Sequence, residues 1–362
     1  MSDPNSKESI HAVTLPQLRD LLVEAGHPGY RGAQVLEWVY EKRVDGFESM
    51  TNLPAGLRSW LSERFAFHAL DPVRVQGSSD TTRKYLFRLG DGALIESVLI
   101  PASPALYGED SDRRTLCVST QVGCAYGCKF CASGLDGWSR NLSAGEIVGQ
   151  ILRVEKLSGE RVSNLVFMGM GEPLANFKNL SRALEILNAP WGVGIGARRI
   201  TISTSGLAPQ IRELAEQSMQ VRLAVSLHGA RDEVRQKIMP VNRKYPLSEL
   251  LAACEYYAGI KKQRITFEYI LIREVNDTLE DAAALVEVAQ RVDAKVNCIP
   301  YNAVEGLEWV RPEESRQDAF MAVLKRAKVS ATIRREKGHD IEAACGQLRR
   351  QTLPSGGAVV AN

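Results

Sequence analysis

From Thr115 onward the chain repeats one theme, a short apolar run followed by a stretch of helical periodicity. The runs are TLCVSTQV, NLVFMGM, RRITIST, VRLAVSLH, ITFEYILI, AKVNCIPYN and SATIRRE. Repetition of strand and helix implies a parallel sheet covered by helices, because parallel neighbours need a long crossover and the helix supplies it. Six or seven such units predict a full or partial (β/α) barrel, with its chemistry at the C-terminal ends of the strands. Gly171-Glu172-Pro173, Ser203-Thr204-Ser205-Gly206, Ser226-Leu227-His228 and Tyr301-Asn302 each follow an apolar run directly, where that rule places functional groups.

The segment before the barrel reads differently. From Leu15 to Phe67, LPQLRDLLVEAG and RGAQVLEWVYEKR carry apolar residues three and four apart, with a break at Gly26 and Pro28. RKYLFRLGDGALIESVLIP then alternates around Gly90-Asp91-Gly92 and predicts a hairpin. The expected organisation is a helical accessory domain over 1–75, a hairpin and linker over 76–114, the barrel over 115–350 and a flexible tail over 351–362. A chain of 362 residues has the length for one large and one small core.

No run of 18 apolar residues appears and the opening MSDPNSKESIHAV lacks a signal-peptide core, so a soluble, cytoplasmic protein with no membrane contact is expected. Seven cysteines are an odd number over a long chain, which fits a reducing compartment better than a disulfide framework. They are read as ligands, catalysts or core residues, and Cys254 and Cys298, inside apolar patterns, belong to the core.

Cys124-Ala-Tyr-Gly-Cys128-Lys-Phe-Cys131 has the spacing C-x3-C-x2-C just after the first barrel strand. Three thiolates can hold three irons of a [4Fe-4S] cubane and leave the fourth iron open to another ligand. A structural zinc site wants a fourth Cys or His, and none occurs in the next thirty residues. Helical core cysteines at i, i+4 and i+7 conflict with Gly123 and Gly127. A distant fourth ligand, giving an ordinary electron-transfer cluster, stays open on spacing alone.

CVSTQVGCAYGCKFCASG, FMGMGEPLANF, ISTSG, VSLHGARDEVRQKIMPVN and DIEAACGQL occur in this order. With these motifs the chain resembles the RlmN family of radical S-adenosylmethionine (SAM) enzymes, which methylate adenine C2 in 23S rRNA and tRNA. The resemblance runs from about Arg83 to Leu348, and the helical amino-terminal segment fits it too. It implies an α/β fold, a partial (β/α)6 radical SAM barrel with a small N-terminal helical domain, and as cofactors a [4Fe-4S] cluster on Cys124, Cys128 and Cys131 together with SAM. It further implies that Cys345 is methylated by one SAM, that a second SAM supplies a radical which activates this methyl group, and that the carbon radical adds to adenine. Cys117 matches the thiol that resolves the RNA adduct through a disulfide with Cys345, and Glu96, placed at the end of the ALIESVLIP strand, matches the proton acceptor. Gly171, Glu172, Ser203, Ser226, Leu227, His228 and Asn302 match the SAM contacts. Arg334, Arg335 and Lys337 are near enough in sequence to favour a Cys345 thiolate.

Two other readings stand beside this one: Cfr-type methylation of adenine C8 with the same cysteines, and a non-catalytic RNA-binding protein with a cysteine metal site. The expected partners are 23S rRNA and tRNA, with a flavodoxin or ferredoxin as electron donor to a monomeric enzyme. Net charge is only +2, so RNA contact must use local patches. Candidates are Arg198 and Arg199, Arg243 and Lys244, Lys261, Lys262 and Arg264, and Arg349 and Arg350. The first 75 residues hold eight Lys or Arg against ten Asp or Glu, so RNA recognition there would rest on shape. The target base must also leave its stack to reach the barrel.

Overall fold

The computed structural model describes residues 7–67, 70–78, 81–102, 111–135, 137–304 and 306–333. Two short parallel strands, β1 (Glu8–Ser9) and β2 (Phe65–Ala66), bracket helices Leu15–Glu24, Arg31–Tyr40 and Ala55–Arg64. Three antiparallel strands follow, β3 (Asp71–Gly77), β4 (Arg83–Arg88) and β5 (Leu94–Pro101). The remainder contains β6 (Arg114–Cys117), β7 (Gln121–Gly123), β8 (Trp138–Asn141), β9 (Asn164–Phe167), β10 (Ile200–Thr204), β11 (Arg222–Ser226), β12 (Thr266–Leu271), β13 (Lys295–Pro300) and β14 (Ala331–Ile333).

One open sheet of ten strands runs β14-β13-β12-β11-β10-β9-β6-β5-β4-β3. Strands β6 and β9 to β14 are mutually parallel, and each of the seven apolar runs falls on one of them. The expected partial barrel of six units is β6 with β9 to β13, and β14 adds a seventh strand at the edge. Crossover helices cover the outer face. Helix Ala144–Ser158 starts with a reciprocal capping box between Ser143 and Glu146 and stops at Gly159 in the left-handed region, φ 70°.

The hairpin forms as expected, with Arg88 opposite Leu94. It is continuous with the barrel, because β5 pairs with β6 and sets Val98 opposite Cys117. Strand β3 begins at Asp71, inside the stretch assigned above to the helical unit. Its sequence DPVRVQG has weak alternation and carries Pro72, which suits the edge position it occupies and hides the strand from pattern reading.

The helical unit packs on helix Ala144–Ser158, and the cores of the two form one continuous apolar cluster. Arg43 pairs with the buried Glu155 at 2.6 Å, Lys156 pairs with Asp45, and Arg153 Nε donates to Leu70 O at 3.1 Å. Among the described residues no helix is long and apolar enough to cross a membrane.

Candidate active site

The C-terminal ends of the parallel strands surround a cavity of about 590 Å³, a size that suits a cofactor-scale ligand. Cys117, Cys124, Cys128 and Cys131 line it. So do Gly171, Glu172, Ser203, Ser226, His228 and Asn302, from four different strand exits.

The cysteine loop is a hairpin excursion. Strands β7 and β8 pair antiparallel at its base, Gln121 Nε2 donates to Asn141 Oδ1 at 2.7 Å, and Cys124 N donates to Gly137 O at 2.8 Å. Gly123 and Gly127 have φ of 77° and 59°, so the loop turns where a helix would have needed right-handed backbone. Cys131 N donates to Cys128 O at 3.0 Å, closing a tight turn, and Lys129 N donates to Ile238 O at 2.9 Å, pinning that turn to a barrel helix.

Burial pushes the Cys124 thiol up to about 12, with Cys131 and Glu172 adding to the effect, and it pushes Cys128 up as well. Such thiols ionise when a metal holds the thiolate. Among the described residues no three His, Cys, Asp or Glu side chains converge on a single ion. In a cubane each cysteine binds a different iron, whereas the ligands of a mononuclear zinc site meet at one point.

Glu172 follows Gly171, whose φ is 96° and whose place a Cβ would contest at 2.4 Å from Gln121 Cβ. The Glu172 carboxylate is buried and accepts from Leu174 N at 3.0 Å and Ser205 N at 2.6 Å. Burial raises its pKa, and the backbone donors oppose that rise. Each oxygen keeps a second lone pair, so the group can still accept from an ammonium in the cavity. Gln121, unremarked in the sequence, ties this loop to the cysteine hairpin, since its Oε1 accepts from Glu172 N at 2.8 Å while its amide reaches Asn141.

His228 has φ of 54° and packs edge-on to Phe130 of the cysteine loop, with centroids 4.7 Å apart. Its Nδ1 accepts from Ile270 N at 3.0 Å, which leaves the proton on Nε2. Burial, and then the charge of Arg235, push its pKa down to about 3, so it stays a neutral donor at physiological pH. Leu227 does not line the cavity. It is buried, and its backbone N donates to Glu268 O at 3.0 Å while its carbonyl accepts from Arg235.

Cys117 is buried and reaches the cavity from the end of β6. Glu96 is placed differently from the expectation. It is the third residue of β5 rather than the strand's end, lies outside the cavity lining, and pairs with Lys84 at 3.1 Å with both side chains almost fully buried. Glu268, also missed, lines the cavity and accepts from Asn297 Nδ2 at 2.6 Å. Cys254 and Cys298 are fully buried core residues. Cys345, Arg334, Arg335, Lys337, Arg349 and Arg350 lie outside the described residues.

The basic candidates separate by position. Arg198 and Arg199 precede β10, and Lys262 and Arg264 precede β12, so all four sit at the strand ends opposite the cavity. Lys261 is buried and donates to Gln217 O and Met219 O, which removes it as an RNA contact. Arg243 and Lys244 are exposed on the connection leaving the C-terminal end of β11, on the cavity side.

Residues 118–286 match the family model of the radical SAM superfamily, and residues 10–66 match that of the ribosomal RNA large subunit methyltransferase N-terminal domain. The chain is 57% identical to a protein of Akkermansia muciniphila described as "Probable dual-specificity RNA methyltransferase RlmN", over 94% of this chain and 95% of that one. A protein of Bacillus subtilis with the same description is 46% identical, over 95% and 93%. The crystal structure of a radical SAM methyltransferase from Sphaerobacter thermophilus superposes with a TM-score of 0.87 at 43% identity, over 94% of this chain and 98% of that one. Two family models, and similarity over nearly the whole length of these relatives, show that the chain belongs to the RlmN family within the radical SAM superfamily.

Proposed function

We propose that the protein methylates C2 of adenine in 23S rRNA and in tRNA anticodon loops, by a radical SAM reaction through a methylated cysteine. The observation that carries the proposal is the convergence of Cys124, Cys128 and Cys131 with Glu172, Ser203, Ser226, His228 and Asn302 on one cavity. The three thiols would hold a [4Fe-4S] cluster, which when bound would supply the electron for cleavage of the sulfonium bond of SAM. Glu172 accepts from the SAM ammonium, the His228 Nε2–H donates, and the hydroxyls of Ser203 and Ser226 and the Asn302 amide orient ribose and carboxylate. Leu227 contributes shape through its fixed backbone.

Cys345 accepts a methyl group from one SAM by displacement, with S-adenosylhomocysteine leaving, and this matters because adenine C2 is too poor a nucleophile to take one directly. Glu96 is the final acceptor of the proton lost from the base, which must be relayed to it because its carboxylate lies behind the cavity lining, where Lys84 supplies the counter-charge that a buried carboxylate needs. The Cys117 thiolate then attacks the Cys345 sulfur, the disulfide forms as the bond from that sulfur to the methylene carbon breaks, and that carbon takes up a proton to leave as the methyl group of the product. The enzyme works as a cytoplasmic monomer, reduced by a flavodoxin or ferredoxin. The family match favours the RlmN reading over the C8 alternative.

The test is anaerobic incubation of the reconstituted protein with unmodified 23S rRNA, a reductant and methyl-deuterated SAM, followed by mass spectrometry of the nucleosides. Labelled 2-methyladenosine is the expected product. Labelled 8-methyladenosine would transfer the protein to the Cfr type, and neither product would overturn the assignment.

A further inference from the structure

Arg235, in helix Asp232–Ile238, is the largest completely buried side chain among the described residues. Its guanidinium donates only to neutral acceptors: Nε to Leu227 O at 3.1 Å, Nη1 to Asn242 Oδ1 at 2.8 Å and Nη2 to Ser205 O at 2.5 Å. Among the described residues no carboxylate pairs with it directly. The Asp232 carboxylate stands one amide away, accepting from Asn242 Nδ2 at 2.8 Å and from Leu247 N at 2.9 Å. A solvent-excluded cation without a contacting anion costs several kcal/mol, and three neutral acceptors return only part of that.

The surroundings are built to admit this group. A Cβ on Gly206 would lie 2.9 Å from Arg235 Nη2, and one on Gly229 would lie 2.7 Å from the Arg235 backbone N, so glycine at both strand exits leaves room for it. The guanidinium therefore sits directly behind the ends of β10 and β11. Ser205 and His228, the residues that carry or adjoin its acceptors, line the cavity together with Cys128. The turn from Cys128 to Cys131 is pinned to the carbonyl of Ile238, one helical turn beyond Arg235. A guanidinium keeps its charge at any physiological pH.

We propose that Arg235 is an electrostatic positioning residue, a fixed cation behind the strand ends that stabilises the electron-rich state of a cluster on Cys124, Cys128 and Cys131 and raises its reduction potential. Local charge, hydrogen bonding and solvent exclusion set the potential of an iron–sulfur cluster, and this residue supplies the first in a place with the third. The inference rests on the reading of the three cysteines as cluster ligands.

The experiment is a redox titration of the reconstituted full chain, followed by the paramagnetic resonance of the reduced cluster, without SAM or RNA. Arg235→Gln is expected to make one-electron reduction at least tenfold less favourable, a midpoint about 59 mV more negative. Arg235→Lys keeps the charge and is expected to shift less. Asp232→Asn keeps the oxygen that accepts from Asn242 and Leu247 but removes an anion, so its midpoint is expected to move the opposite way. Shifts of opposite sign are a signature that loss of packing does not produce. Should Arg235→Gln fail to fold, Asp232→Asn decides alone, with an upward shift supporting the inference and an unchanged midpoint overturning it. Midpoints equal to wild type in all variants would also overturn it, whereas absence of any cluster in the wild-type chain would sink the ligand reading instead.

Discussion

His228 carries several constraints in one side chain. Its backbone lies in the left-handed region, its ring is buried against Phe130, and its Nδ1 is spent on Ile270 N. Burial holds its pKa at about 3, whereas a histidine in the unfolded chain takes up a proton near 6.5. Between those two values the unfolded state binds more protons than the folded state, so this group makes stability fall as pH falls through that window. Between about pH 6.5 and 5.5 the loss from one such histidine is about 1 kcal/mol. Denaturant titrations at both pH values are expected to show that loss in the wild type and not in His228→Gln, which keeps an acceptor for Ile270. Equal pH dependence in the two proteins would mean that the ring is protonated in the folded state. The pair of Lys84 and Glu96 poses a different question at the same scale, because buried ion pairs add little to stability over apolar residues of similar size. It ties β4 to β5, beside the strand that carries Cys117.

At the scale of elements, the seven parallel strands were legible because each is short, apolar and followed by helical periodicity. The cavity residues were legible because polar side chains follow those strands directly. Strand β3 was not, since an exposed edge strand needs no apolar face. Gln121 and Arg235 were not, since their roles depend on contacts over 51 and 30 residues of sequence. Arg235 also sits in the charged stretch ARDEVRQK, which reads as a solvated helix face. The cysteine hairpin shows how one element depends on a single atom. A Cβ on Gly123 would lie 2.0 Å from Gly137 O, the carbonyl that receives Cys124 N. Gly123→Ala must therefore move that carbonyl and take a costly positive φ of 77°. The sheet does not run through this hairpin, so the variant is expected to keep the wild-type circular dichroism spectrum while its iron content after reconstitution drops severalfold. Normal iron loading would show that the hairpin base does not set the spacing of the cysteines.

For the whole molecule, the decisive contact is that between the helical unit and helix Ala144–Ser158. The two units share one apolar core, so heating should melt them together rather than in sequence. They approach tightly at Gly145, where an added Cβ would lie 2.8 Å from Ser9 Cβ and 2.5 Å from Ser9 Oγ. The exposed pair of Lys156 with Asp45 contributes little, and the pair of Arg43 with the buried Glu155 must first offset the desolvation of that carboxylate, so neither replaces the apolar contact. Gly145→Val is thus expected to wedge the helical unit off its helix while leaving the strand ends and the cysteine loop in place. Since net charge is only +2, RNA affinity must come from shape held by that docking more than from bulk attraction. The variant should then cleave SAM to 5'-deoxyadenosine at the wild-type rate, bind substrate RNA at least tenfold more weakly and melt in two steps by calorimetry. One transition with wild-type RNA affinity would mean that the contact tolerates the methyl groups and that recognition lies in the barrel alone.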